Sequence, residues 1–218
     1  SIELHQPSGP GQVIEDAYHM ATDLLNSIGL TAEETRGVGL GVPAPVHFST
    51  GTIVAPAILQ GWDKYPLAKA LKERFGCPAY VDNDANVMAL GEQWAGEGKG
   101  VQNFMFVKLG TGIGAGIVCD GRLYRGSQGC AGDIGHIVID GCDVACACGK
   151  KGCLEALAGG PAIARRAEAK ARQDSTPILS TLLKERGSLT ANDVGLAARG
   201  GDPAAAEIIK DTGYLIGR

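Results

Sequence analysis

Val13, Ile14, Ala17, Met20, Ala21, Leu24, Leu25 and Ile28 recur at intervals of three and four. That spacing puts them on one face of a helix, so residues 11–29 are predicted to be amphipathic and helical. Ahead of it, residues 1–11 (SIELHQPSGPG) read as a strand already under way, then a loop. Thr31 and Glu34 have the spacing of a capping box for one short turn. The period then changes: RGVGLGV at 36–42 is an apolar run ending in Gly-Val-Pro-Ala-Pro, the pattern of a buried strand entering a loop. A helix is expected over 66–75, a strand in PAYVD at 78–82, and a helix from Ala85 to Trp94. NFMFVKLG and IGAGIVCDG are two apolar runs separated by a turn, which suits a β-hairpin. GDIGHIVID places His136 at the start of another strand. From residue 154 onward the pattern is mainly helical, and the last helix has Asp202 as N-cap with Pro203 at its first position.

Strands alternating with helices, followed by further helices, imply an α/β protein. GEGKG at 96–100 is the expected boundary between two lobes, residues 1–100 and 101–218. With 44% hydrophobic residues in 218, the chain can bury a real core. It holds no run of about 18 apolar residues and no signal-peptide pattern, so a membrane span is not indicated and a cytoplasmic location is expected. A net charge of −4 argues against this chain being a strong nucleic-acid binder by itself, since phosphate contacts need clustered cations. Arg165, Arg166, Lys170 and Arg172 read as a solvated helix face.

Residues 146–155, CACGKKGCLE, carry the most specific chemistry. Cys146 and Cys148 are too close for an easy mutual disulfide, whereas with Cys153 three sulfurs can converge on one ion at about 2.3 Å each. Zinc needs a fourth ligand. The nearest histidine is His136, and the segment between them is long enough to fold back, so a Cys3His site is predicted, with Cys142 as the rival ligand. Disulfides or inert buried thiols are the alternatives; an odd total of seven cysteines weakens the first and their clustering the second.

VDNDAN at 81–86 puts Asn83 and Asp84 where a strand turns into a helix, the ligand-facing edge of an open α/β sheet. A carboxylate there can take a proton from a hydroxyl and a neighbouring amide can orient that hydroxyl; an N-cap explains the same residues equally well. LGTGIGAGIV at 109–118 sets Gly110, Thr111 and Gly112 in a hairpin turn where a phosphate could approach the backbone, although a turn alone accounts for the glycines. The fingerprint of dinucleotide binding is different, because a helix must follow its glycines.

GVPAPV (41–46), ILQGW (58–62), VDNDAN, LGTGIGAGIV, AGDIGH (131–136) and CACGKKGCLE together resemble the ROK family of sugar kinases and sugar-responsive repressors. The resemblance implies an actin-like, ribonuclease H-like two-lobed ATPase fold with its N-terminal lobe incomplete here and a sugar in the cleft. Asn83 and Asp84 would bind the sugar's outer hydroxyls, with Asp84 the catalytic base in kinase members. Asp133, His136 and Glu155 would hold the opposite side of the ring, His136 giving one ring nitrogen to zinc and the other to the sugar. A nitrogen committed to metal leaves the proton on the other, so the imidazole becomes a fixed donor.

The sequence departs from the kinase pattern in three ways. The family's Asp-x-Gly-x-Thr phosphate turn has no counterpart, so the chain is expected to be part of a longer protein. Asp133 stands where a glutamate is usual, and an asparagine often found near ILQGW is missing. Asp133 in AGDIGH and the Ile-Leu-x-Gly-Trp stretch at 58–62 are similar to the repressor branch, whose members carry a winged helix-turn-helix upstream and dimerise. The expectation is therefore the effector-binding part of a regulator that reads a sugar or amino sugar, meets DNA only through that upstream domain, and acts as a homodimer or higher homo-oligomer. The alternative is a sugar kinase that uses ATP and Mg²⁺, with Asp84 as base and the hairpin glycines at the phosphates.

Overall fold

A computed structural model of the chain describes residues 9–57, 59–173 and 177–217. The strand expected at the N-terminus falls on residues 1–8, and Ile58 belongs to ILQGW; both lie outside the described residues. The chain gathers into two compact units, Ser1–Phe106 with Ala115–Gly132, and Val107–Gly114 with Asp133–Arg218.

The first unit opens with α1 (Pro10–Ser27), which starts where a loop was expected because Pro10 takes the first helical position. Gly29, at φ +77°, ends it: the Leu30 amide donates to the Leu25 carbonyl and the Gly29 amide to that of Asn26, a Schellman arrangement. The predicted capping box forms at the 3₁₀ turn Ala32–Glu34, with the Thr31 amide donating to Glu34 Oε2 at 2.9 Å. Strand β1 (Val38–Val42) follows, then β2 (Val46–His47) and β3 (Thr52–Ile53), a small antiparallel pair, and α2 (Leu67–Phe75).

Strand β4 (Ala79–Asn83) runs parallel to β1 in a register that sets Val42 opposite Asn83, and α3 (Asp84–Ala95) leaves directly from its end. The core of this unit comprises Val42, Val46, Ile53, Trp62, Leu67, Leu71 and Val81. The predicted hairpin is β5 (Phe104–Leu109) and β6 (Ile113–Cys119), extended by a third strand, β7 (Arg122–Tyr124), in the order β5-β6-β7.

The second unit is helical after the 3₁₀ turn Ile134–His136: α4 (Leu154–Ala158), α5 (Gly160–Arg172), α6 (Pro177–Arg186), α7 (Ala191–Arg199) and α8 (Pro203–Ile216). The strand expected to start at His136 is not formed. Gly135 sits against the Ile113 carbonyl, too close for any side chain, and the chain coils there instead of extending. Asp202 caps α8 as predicted, its Oδ1 accepting from the Ala204 and Ala205 amides at 3.1 and 3.0 Å. Ile113, Leu154 and Ala158 form a small core against Ile134, Ile139, Leu215 and Ile216, and a larger one joins α5 to α8. No described helix is long and apolar enough to cross a membrane.

Candidate functional site

In the second unit, a loop held by its own backbone brings the cysteine cluster together. The Ile139 amide donates to the Gly152 carbonyl, Gly152 to Val144, and Cys146 to Lys150, each at 2.8 Å, while Leu154 donates back to Ile137 at 2.9 Å. Lys150 Nζ adds a bond to the His136 carbonyl at 3.0 Å. These bonds pin the two arms of the loop, so the side chains of His136, Cys146, Cys148 and Cys153 converge: their ligand atoms all lie within 4.8 Å of one another. Cys142 is not in that group, and all seven cysteines are free thiols.

The distances test what the cluster can hold. Cys148 Sγ and Cys153 Sγ are 3.7 Å apart, and His136 Nδ1 is 3.6 Å from Cys146 Sγ. A zinc tetrahedron with bonds of about 2.3 Å to sulfur and about 2.0 Å to nitrogen has edges of about 3.8 Å and about 3.6 Å. A disulfide would need about 2.05 Å between sulfurs. The four residues fit a tetrahedral metal of zinc type in donor chemistry and in spacing.

Burial pushes the Cys153 thiol up to about 12, and the neighbouring Cys148 and Cys146 push it the same way. Burial also works to raise Cys148, yet that thiol lies below its ordinary value because the Lys150 backbone amide and the thiols of Cys146 and Cys153 donate to it. A cation among the sulfurs would supply the positive charge that holds them as thiolates.

Nδ1 of His136 faces the sulfurs, and Nε2 points the other way, where Asp133 Oδ1 stands 3.9 Å off on the exposed side of the turn. Glu155 lies in the first turn of α4, two residues after the last cysteine. Its Oε2 accepts the Ile113 amide at 2.9 Å, and a Cβ on Gly112 would come within 2.6 Å of that oxygen. A side chain at Gly112 would thus require the Glu155 carboxylate to move. Next to it the Gly110 amide donates to the Gly112 carbonyl, and the Gly160 amide to the Gly110 carbonyl. The hairpin tip with Gly110, Thr111 and Gly112 is thus seated on the start of α5.

In the first unit, Asn83 is the N-cap of α3: its Oδ1 accepts from the Ala85 and Asn86 amides at 2.9 and 3.4 Å, and its Nδ2 donates to the Ala44 carbonyl at 3.3 Å. Asp84 is the first helical residue, with Oδ1 accepting from the Ala85 amide at 2.8 Å. Capping and hydroxyl recognition are compatible for such residues, since a carboxylate has about four acceptor positions.

Sequence reasoning missed Asp82 and Arg125. Arg125 Nε and Nη2 both donate to Asp82 Oδ2 at 2.8 Å, although the residues lie 43 apart in the chain. An acid within VDNDAN was visible; nothing local pointed to its partner.

A model of the ROK family matches residues 2–218. The glucokinase of Halalkalibacterium halodurans is 42% identical over 182 residues, which are 83% of this chain and 55% of that protein. The xylose repressor of Caldicellulosiruptor bescii is 41% identical over 152 residues, 68% of this chain and 38% of that protein. The chain thus spans about half the length, or less, of these relatives. A ROK family glucokinase from Streptomyces griseus, solved with glucose and AMPPNP, superposes with a TM-score of 0.83 at 29% identity over 96% of this chain and 66% of that one.

Proposed function

Because the chain belongs to the ROK family, we propose that it binds a sugar or amino sugar and serves, in its whole protein, as the effector-reading part of a sugar-responsive regulator. The fold is the actin-like ATPase fold of that family. The observation that supports sugar binding is the orientation of His136, with one ring nitrogen turned to the thiols and the other toward Asp133; the regulator role rests on Asp133 and the Ile-Leu-x-Gly-Trp stretch, which are similar to the repressor branch.

His136, Cys146, Cys148 and Cys153 hold a zinc ion in this reading. Bound there, zinc fixes the thiolates and commits Nδ1, which leaves the ring proton on Nε2. His136 then donates to a sugar hydroxyl while Asp133 and the free edge of the Glu155 carboxylate accept from others. Neutral hydroxyls suit this mixture, because each can donate to an acid and accept from the imidazole. Asn83 and Asp84 in the first unit read further hydroxyls. The protein works in the cytoplasm as a homodimer, and DNA contact belongs to a winged helix-turn-helix outside these residues.

A second reading, an ATP-dependent sugar kinase, is favoured by the 42% identity to a glucokinase over most of the chain. In it Asp84 takes the proton of the attacking sugar hydroxyl, Gly110, Thr111 and Gly112 approach the phosphates, and Mg²⁺ accompanies ATP.

Calorimetry of the full chain with D-glucose, D-xylose, N-acetylglucosamine and N-acetylmannosamine, alongside an ATP-turnover assay, tests both. The regulator reading expects heat with one of the sugars and no sugar-dependent turnover. Turnover that Asp84→Asn abolishes favours the kinase. No heat with any of them contradicts sugar binding.

A further inference from the structure

Resting on the reading that Asn83 and Asp84 contact a sugar, we infer that Arg125 and Asp82 are positioning residues for that pair. A carboxylate offers about four acceptor positions, and those of Asp82 are filled. Oδ1 accepts the Asn83 amide at 2.8 Å and Asn86 Nδ2 at 2.9 Å; Oδ2 accepts Arg125 Nε and Nη2, both at 2.8 Å. Asp82 is only 7% exposed, so it has neither the capacity nor the access to touch a ligand itself. Its work is done on its neighbours, since one of the four bonds goes to the backbone of Asn83 and another to the first turn of α3, where Asp84 sits.

Arg125 sets the direction of that carboxylate. Its guanidinium approaches Asp82 with two nitrogens and stacks 3.6 Å from the ring centroid of Phe48, in the turn between β2 and β3. Its carbonyl accepts the Ala131 amide at 3.0 Å, which closes the loop after β7. Three segments distant in sequence therefore meet at one planar cation, and the strand-to-helix junction is fixed by the group best suited to fix a carboxylate in a plane.

Stability alone does not select this arrangement. Asn86 is 2% exposed, and while its Nδ2 serves Asp82, its Oδ1 is buried with no hydrogen-bond partner among the described residues. An unpaired buried acceptor is destabilising, and such violations concentrate where function is served.

The test is a cycle read by calorimetry on the full chain, using whichever of D-glucose, D-xylose, N-acetylglucosamine and N-acetylmannosamine the unmutated protein binds. Asn83→Ala should raise Kd about tenfold, and Arg125→Lys, which keeps the charge but loses the fork and the stack, about fivefold. The double variant should bind no more weakly than Asn83→Ala alone, because the effect of Arg125 passes through Asn83 and its helix. Phe48→Leu should weaken binding about twofold through loss of the stack. Zinc content should be unchanged in Arg125→Lys and Phe48→Leu, and both should remain folded at the temperature of the titration even where the loss of the fork or the stack lowers the melting temperature. If none of the sugars binds, or Asn83→Ala binds as well as the unmutated chain, the reading of Asn83 falls and this inference with it. If Asn83→Ala weakens binding while Arg125→Lys does not, or the two losses multiply in the double variant, the inference alone is overturned.

Discussion

The carboxylate of Glu155 is held by the backbone amide of Ile113 at 2.9 Å, so an acid that follows the cysteine loop is fixed by the tip of a glycine hairpin more than forty residues earlier. Oε2 is committed to the hairpin, and in the proposed reading the other oxygen accepts from a sugar hydroxyl. Two motifs that look independent along the chain are one mechanical part.

Gly112→Ala tests that coupling. The added methyl would lie 2.6 Å from Glu155 Oε2 and must displace it. Sugar affinity is expected to fall in this variant and in Glu155→Gln alike, by about 1 to 3 kcal/mol, with zinc content unchanged. Calorimetry on the two variants decides: an affinity equal to that of the unmutated chain in Gly112→Ala would show that Glu155 is not held for the sugar.

Zinc affinity should depend on pH. The metal-free Cys153 thiol keeps its proton up to about 12, so each zinc bound at neutral pH displaces at least that proton. Apparent affinity is expected to drop about tenfold for each unit by which the pH is lowered, per proton displaced. Competition titration against a chelator of known pH dependence measures this slope between about pH 6 and 8. A flat profile is inconsistent with thiolate ligation by Cys153.

In α7, Asp193 accepts from the Thr190 amide at 2.9 Å and the Thr190 hydroxyl at 2.7 Å, and is paired with Arg186. The Thr190 hydroxyl, ahead of the other contacts, holds this carboxyl below its usual range although burial opposes the shift. Because the folded value is the lower one, the stabilisation is present above the ordinary carboxylate range and is lost as pH falls through it and below. Asp193→Ala should cost about 1 to 2 kcal/mol at pH 7. Thermal melts of both proteins across the acid range should converge; a gap that persists at low pH would contradict the assignment.

The basic face of α5 is not merely solvated. Arg166 pairs with Asp211 at 2.6 Å and Lys170 with Glu207 at 2.9 Å, tying α5 to α8. All four side chains are substantially exposed, so each pair is worth less than about 1 kcal/mol and weakens with salt. Arg166→Ala and Lys170→Ala should each shift denaturation midpoints slightly, and less in high salt.

What the sequence revealed followed the range of the interaction. The helix of residues 11–29 and the cap at Asp202 depend on neighbours within a few positions, and both formed near where the pattern placed them. The convergence of His136 with Cys146, Cys148 and Cys153 was legible because ligand type and spacing are themselves local signals. Strands β2 and β3, two residues each, are too short to carry an alternation, and the coil at His136 comes from the approach of Gly135 to Ile113, which no local pattern encodes. For the same reason the Asp82 to Arg125 pair and the bond from Ile113 to Glu155 stayed hidden: each joins residues more than forty positions apart.

A metal ion that takes Nδ1 of His136 would fix the imidazole and make Nε2 a donor. X-ray absorption at the zinc edge on the full chain measures the ligand shell directly. One zinc per chain is expected, with three sulfurs at about 2.3 Å and one nitrogen at about 2.0 Å. A chain without zinc, or a shell of four sulfurs with Cys142 in place of the imidazole, would contradict it.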